Sequence, residues 1–382
     1  MGRYPDGGKK FYKMYRPTID RPNTLTSDDA FLGEDEGLTI QNREEFSLAL
    51  AEGWNWMSHP MMEAIAADKL SGYASRIVGK DREAIRDSKA GMTGALKELE
   101  AGNLYKVQMR QNDTYTRKGF LCEDGRPVML LPGWNWIGYT VSGQQALTAA
   151  LADYLAEEGD KIVGQNGFAV YENGKWQGDL STLETGLGYM LYTQQAKTLT
   201  FRSPAVKVRL RHTTHRQAAR TRAASPFRSV SKHTYPNVMG VIAELQKDNE
   251  KVEPGLFSLY AYDADGECRG EGKWVNGLAW MTLYGKGGEA LSYRAVDLLD
   301  GTVYTVRETM PFAEGITGSI GQPRVLTLGE TEGSATMIDG IPVAPARTDI
   351  EGYYNLNGTR MSLRTAKRGI YLVKYKDGSF QK

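Results

Sequence analysis

The stretch Gly53-Trp54-Asn55-Trp56 recurs at Gly133-Trp134-Asn135-Trp136, and the two copies hold four of the seven tryptophans of the chain. The residues after each copy match as well. The first leads to Ile77-Val78-Gly79, then Leu96, Leu99, Gly102 and Tyr105; the second leads to Ile162-Val163-Gly164, then Leu180, Leu183, Gly186 and Tyr189. From the leucine pair onward both read Leu-x-x-Leu-x-x-Gly-x-x-Tyr. Two copies of one module, each roughly 80 residues long, therefore lie in tandem. Catalytic residues are seldom duplicated in adjacent copies, whereas binding and structural modules commonly are, so the repeat points away from enzyme chemistry.

The 382 residues suffice for two to four domains with separate cores. Forty-three glycines, 21 tyrosines and seven tryptophans, without long apolar runs, suit short strands joined by tight turns. The expected class is mainly β with minor α. No stretch approaches the ~18 apolar residues of a membrane span, so no transmembrane segment is expected. Met1 to Arg16 carries basic residues but no apolar segment fit for a secretory signal, so the chain is expected to be cytosolic or to begin downstream of its true start. Cys122 and Cys268 fall in different modules and are read as two separate small side chains rather than a disulfide. The net charge of +1 hides an asymmetry: nine Lys or Arg residues and no carboxylate lie between Arg202 and Lys232, leaving −8 elsewhere.

Residues 1–40 are polar and rich in Gly and Asp, and read as an irregular arm. Residues 41–120 form the first Trp-motif module, with Phe46–Met57 as one strand ending in the motif, and residues 121–204 form the second. Within the second, Ala146–Glu158 has helical spacing of Leu147, Leu151, Tyr154 and Leu155. Asn173-Gly174 supplies a two-residue hairpin turn. The corresponding part of the first copy, Lys80–Lys97, is charged and reads as more helical. A basic linker spans 205–232, rich in Ala, Ser and Thr. In 233–329, seven alternating segments separated by Gly, Asp or Asn predict strands: Val238–Leu245, Gly255–Ala264, Glu267–Val275, Leu278–Tyr284, Glu289–Asp297, Thr302–Val306 and Arg324–Leu328. That spacing predicts an immunoglobulin-like β-sandwich. A spacer, Gly329–Pro345, precedes a short β segment at 346–382 with turns at Asn357-Gly358 and Asp377-Gly378.

Tyr353-Tyr354-Asn355-Leu356-Asn357-Gly358, followed by Lys367-Arg368-Gly369-Ile370-Tyr371-Leu372-Val373-Lys374, resembles a shortened C-terminal sorting domain of type IX secretion cargo. Gly255–Leu283 resembles a β-sandwich module often placed before such C-termini, and the Gly-Trp-Asn-Trp copies resemble the GWN-type repeats of multimodular surface and secreted proteins. These resemblances imply an extracellular or cell-surface location and the type IX secretion machinery as a partner. They carry no defined activity.

Trp54, Trp56, Trp134 and Trp136 alternate at period two, so each pair shares one side of a strand. Buried, such a pair anchors a small module; exposed, it stacks on sugar rings. Together with Trp176 these are the candidate ligand-binding residues, and glycan or another cell-surface polymer is the candidate partner. Arg209, Arg211, Arg216, Arg220 and Arg222 of the linker are candidate anion-binding residues. The linker lacks the interleaved aromatics of base stacking, and no nucleic-acid partner is expected. Asp263-Ala264-Asp265-Gly266-Glu267 offers oxygen ligands at alternating positions, a weak candidate for Ca²⁺ through Asp263, Asp265 and Glu267, although Asp-x-Asp-Gly is first of all hairpin chemistry. No other cofactor is expected. His212 and His215 have metal-ligand spacing but sit among positive charges, and read as part of a solvated linker.

The residues thus point to a non-catalytic extracellular or cell-surface binding and adhesion protein with carbohydrate as the ligand class. One alternative is structural spacer modules of a larger secreted enzyme or adhesin. Another is a hidden glycoside hydrolase, whose paired carboxylates follow no local spacing rule.

Overall fold

Strands follow the alternating pattern almost everywhere, and the protein belongs to the mainly-β class. The computed structural model describes residues 44–122, 126–202 and 229–334. Beyond these it describes the strands Met337–Ile338, Ile341–Pro342, Ile350–Tyr354, Arg360–Met361, Leu372–Tyr375 and Phe380–Gln381. The arm at 1–40, linker residues 205–228 and the turns at Asn357-Gly358 and Asp377-Gly378 lie outside the described residues. Helix among the described residues amounts to one turn of α-helix, Leu147–Ala150, and one 3-10 turn, Ala67–Lys69. The longer helix expected over Ala146–Glu158 stops early. Its N-cap, Ala146, offers no side-chain cap, and Tyr154 turns inward to donate to the buried Asp160 Oδ2 at 2.8 Å.

The described residues fall into two compact units, 44–165 with 180–202 and 166–179 with 229–381. In the first unit the strands of the first copy lie in the order Gly53–Ser58, Leu104–Met109, Ala74–Val78, Glu83–Asp87 and Gly91–Gly94. Its middle, expected to be more helical, is therefore a hairpin. Asp87 Oδ1 accepts from the N–H groups of Lys89 and Ala90, both at 2.8 Å, and Gly91 takes the positive φ that closes the turn. The single strand expected over Phe46–Met57 breaks at Ala51-Glu52 into Glu44–Leu50 and Gly53–Ser58.

The second copy repeats the plan. Gly133–Gly138, Gly188–Thr193 and Lys161–Gly164 are neighbours in that order. The register is the same residue for residue: Trp56 faces Lys106 where Trp136 faces Met190, and Met57 faces Tyr105 where Ile137 faces Tyr189. Tyr105 Oη accepts from Glu100 N at 2.8 Å, and Tyr189 Oη from Glu184 N at 3.0 Å. The terminal tyrosine of each copy thus closes its own loop. In the first copy Met57, Ile77, Ala84, Tyr105, Val107 and Met109 lie on one sheet face and form its core.

In the second unit the expected strands are present: Asn237–Lys247, Phe257–Tyr262, Cys268–Val275, Leu278–Gly285, Ala290–Asp297, Thr302–Val306 and Arg324–Ser334. They do not form the two facing sheets of an immunoglobulin-like sandwich. Asn237–Lys247 is 11 residues long and pairs on both edges, antiparallel with Leu278–Gly285 and parallel with Arg324–Ser334 through Ala243↔Arg324 to Gln246↔Thr327. That parallel seam closes a seven-stranded barrel. Alternation is the same in a barrel and a sandwich, and pairing of the first strand with the last separates them. Met239, Val241, Ala243 and Leu245 fill the interior together with Leu259, Met281, Leu283 and Tyr293. On the opposite face of that strand Gly240 leaves room for the Phe168 ring, which stacks on Trp280 at 5.1 Å and 22°. Phe168 belongs to the hairpin Gly167–Glu172 and Lys175–Gly178, turned by Asn173-Gly174 with both residues at positive φ. Arg324–Ser334 also runs into the stretch expected to be spacer.

The last described strands form a sheet in the order Arg360–Met361, Ile350–Tyr354, Leu372–Tyr375 and Phe380–Gln381. Among the described residues no helix is long and apolar enough to cross a membrane. Cys122 and Cys268 are both buried thiols.

Candidate functional site

Each residue of the Gly-Trp-Asn-Trp motif has a separate task. Gly53 and Gly133 take φ of 89° and 96°, a region that L side chains rarely enter, and turn the chain into the strand. Asn55 Oδ1 accepts from Ala51 N at 3.0 Å while its Nδ2 donates to Ala51 O at 2.7 Å and Gly53 O at 3.1 Å. Asn135 makes the same three bonds to Leu131 N, Leu131 O and Gly133 O at 3.0, 2.8 and 3.0 Å. The buried amide thus clasps the incoming loop, and the flanking tryptophans are left on the other face.

Those faces meet within the first unit. Ser58 N donates to Gly186 O at 2.7 Å, and Gly138 N donates to Gly102 O at 2.8 Å. Ser58 and Gly138 are equivalent in the two copies, as are Gly102 and Gly186, so the contact is reciprocal in the manner of a two-fold dimer. Side chains break the symmetry. The Lys106 ammonium sits over two indoles, 4.8 Å from the Trp56 ring centre and 4.6 Å from that of Trp136, with the residue 3% exposed. Met190 takes the corresponding place in the second copy. A Cβ on Gly188 would run into the Leu104 side chain and come within 2.9 Å of Met57 O, so the pair accepts a large residue only from the first copy. Gln165 caps the outer edge of the first Trp strand: its Oε1 accepts from Trp56 N at 3.0 Å and its Nε2 donates to Trp54 O at 2.7 Å.

Trp54 and Trp56 are consequently 8% and 2% exposed, which leaves neither a face for stacking on a sugar. Trp134 is half-buried and meets its cross-strand neighbour Tyr192 edge-on at 5.4 Å, and the Lys161 ammonium lies 5.9 Å from the Tyr192 ring centre. Earlier along the same chain segment, Met129 and Leu131 are 73% and 61% exposed, where the first copy has Ala49 and Ala51. The second copy therefore presents larger apolar side chains at these positions, and its Trp134 is less buried than Trp54. Trp136 is half-buried against Lys106, and Trp176, in the second unit, meets Tyr171 edge-on at 5.4 Å.

The carboxylates proposed for Ca²⁺ have other partners. Asp263 Oδ1 accepts from Asp265 N at 3.1 Å and Glu267 N at 2.7 Å, and its other oxygen accepts from the buried Arg269 at 2.7 Å. Burial alone would raise the Asp263 pKa, but the Arg269 and Glu267 hydrogen bonds outweigh it and hold the carboxyl below its usual value. Arg269 also pairs with Glu267 and Glu289 and stacks 3.9 Å from the Tyr235 ring centre. Asp263, Asp265 and Glu267 are thus engaged in a turn and an arginine network, and no group of three or more potential ligands is gathered among the described residues. Arg209, Arg211, Arg216, Arg220 and Arg222 lie outside the described residues, as do His212 and His215.

His59 is fully buried. Its Nε2 can only donate to the Glu63 carbonyl at 2.6 Å, so the neutral ring accepts from Tyr115 Oη at Nδ1, 2.7 Å away. Burial, with a smaller contribution from Arg117, pushes the imidazole below its ordinary pKa although the Glu63 carbonyl acts the other way. The sequence pattern flagged the tryptophans but not Lys106, Gln165, Lys161 or Tyr192. The signal for these is the mismatch between aligned copies, Lys106 against Met190 and Lys80 against Gln165.

No protein-family model matches the chain, and no curated protein matches it. A solved structure of the Bacillus anthracis TIE protein aligns over 90% of this chain with 10% identity and a TM-score of 0.17, too low to carry an argument about fold or role. The chain spans 64% of that structure's length.

Proposed function

We propose that this chain is a non-catalytic binding and adhesion protein of the cell surface or extracellular space, and that it recognises carbohydrate. The supporting observation is the half-buried Trp134–Tyr192 pair of the second copy, flanked by the Lys161 ammonium. Aromatic faces accept the C–H-rich faces of pyranose rings, and neighbouring polar groups take their hydroxyls. The GWN-type repeats and the sorting-like C-terminal segment support export through the type IX machinery. A glycan array probed with the purified chain is expected to show binding that Trp134→Ala removes while the thermal unfolding midpoint stays within a few degrees. Absence of binding to every glycan would overturn this role.

A second reading, spacer modules that hold a partner domain away from a surface, is favoured by Trp54, Trp56 and Trp136, whose rings pack the copies together. Under that reading Trp134→Ala changes stability alone.

A further inference from the structure

The two copies differ at one polar position with a direct chemical consequence. Ile162-Val163-Gly164-Gln165 of the second copy aligns without gaps on Ile77-Val78-Gly79-Lys80 of the first. Gln165 reaches across the reciprocal contact to the outer edge of the first Trp strand, where its amide supplies one acceptor to Trp56 N and one donor to Trp54 O. Under the same relation, established by Ser58 N on Gly186 O and Gly138 N on Gly102 O, Lys80 is the residue equivalent to Gln165 for the outer edge of Gly133–Gly138. There Trp136 N–H and Trp134 C=O point away from the neighbouring strand. Gly138 N, two residues on, points the same way to reach Gly102 O. An ammonium has three donors and no acceptor, so Lys80 cannot receive the Trp136 N–H. Its side chain is exposed, and Trp134 O and Trp136 N have no hydrogen-bond partner among the described residues.

The edge of the second copy therefore forms a notch in which the donor and acceptor that an amide satisfies in the first copy have no partner among the described residues. It begins at Trp134, which is half-buried beside Tyr192. We infer that this notch binds the vicinal hydroxyl pair of a sugar whose ring packs on Trp134. One hydroxyl accepts from Trp136 N–H and its neighbour donates to Trp134 C=O. Neighbouring hydroxyl oxygens on a pyranose are about as far apart as one hydrogen bond is long, which lets them bridge the two peptide groups as the amide oxygen and nitrogen of Gln165 do. This assignment rests on the carbohydrate role proposed above and adds the recognised group and the residue that keeps its site open.

The test is Lys80→Gln, which supplies from within the amide that the second copy supplies to the first. Lys80→Ala serves as the control that removes the ammonium without filling the notch. Retardation of the whole chain is measured by native electrophoresis in gels containing galactomannan, xyloglucan or mixed-linkage β-glucan. Thermal unfolding is followed in parallel. Lys80→Gln is expected to raise the unfolding midpoint by about 2–4 °C through the two added hydrogen bonds. It is expected to weaken retardation by about tenfold or more, while Lys80→Ala stays within about twofold of the parent. Retardation that survives Lys80→Gln but is lost in Trp134→Ala overturns the notch and leaves the carbohydrate role standing. Competition by a glutamine amide, with none by methyl glycosides, overturns the diol in favour of a peptide ligand. Retardation in none of the gels overturns the role and this ligand together.

Discussion

The Lys106 ammonium lies 4.6 Å from the centre of the Trp136 ring, so a lysine of the first copy is held by an indole of the second. Trp56, its cross-strand neighbour, lies 4.8 Å from the same ammonium. A long aliphatic stem ending in a cation suits this position, since the stem packs as methylene and the head meets two electron-rich faces.

Lys106→Ala removes that packing and both cation–aromatic contacts from a buried position. It is expected to lower unfolding free energy by about 2–4 kcal/mol, read from denaturant midpoints followed by tryptophan fluorescence. Lys106→Met, the residue of the second copy, is expected to recover most of the loss. A cost under about 0.5 kcal/mol for the alanine variant would show that the contact contributes nothing beyond an ordinary surface position.

The two asparagine clasps share three bonds, and Asn135 adds a longer one to Leu191 O at 3.4 Å, so removal of Asn135 is expected to cost at least as much. Asn55→Ala and Asn135→Ala each remove the partners of a backbone N–H and C=O in a part-buried loop, for a loss of about 1–2 kcal/mol apiece. Asn135→Asp keeps the acceptor for Leu131 N but sets a carboxylate against Leu131 O and Gly133 O, and is expected to be at least as damaging. Urea unfolding of the three variants checks this, and an aspartate variant as stable as the parent would contradict it.

Gly138 lies where the copies touch. A Cβ there would run into Ser58 Oγ and come within 3.0 Å of Asn103 O, while Ser58 Oγ is buried without a hydrogen-bond partner among the described residues. Gly138→Ala is expected to cost about 1–3 kcal/mol by overpacking, and Ser58→Gly in the same chain to restore part of it. A double-mutant cycle measures the coupling, and strict additivity would place the two residues out of contact.

His59 sets a pH dependence. Its folded-state pKa lies below the ordinary 6.5, mainly through burial, so the unfolded chain takes up a proton in a range where the folded chain does not. The stability it contributes is full above pH 6.5 and falls as the pH drops from there toward the folded-state value. Urea midpoints between pH 7.5 and 5.5 are expected to decline in the parent and to decline less in His59→Gln, which keeps a donor for the Glu63 carbonyl. Equal slopes would assign the acid sensitivity to other groups.

The repeat was legible from Gly-Trp-Asn-Trp and from the Leu-x-x-Leu-x-x-Gly-x-x-Tyr endings because each residue serves its own copy. Gly53 and Gly133 turn the chain, Asn55 and Asn135 clasp the loop four residues back, and Tyr105 and Tyr189 bond five residues back. Turn chemistry was equally plain at Asn173-Gly174 and at Asp263-Ala264-Asp265-Gly266. The hairpin at Glu83–Gly94 was hidden because its charged residues suit a helix in isolation, and only pairing with Ala74–Val78 decides for a strand.

By itself, then, the sequence determined the β class, the tandem copies and the strands of the C-terminal half, all of which arise from local alternation and turn residues. Which tryptophans are buried, the lysine held between two of them, and the closure of a barrel where a sandwich was expected were decided by tertiary structure. Those features depend on which faces and edges meet across many residues of chain, and period-two patterning specifies a face without naming its partner.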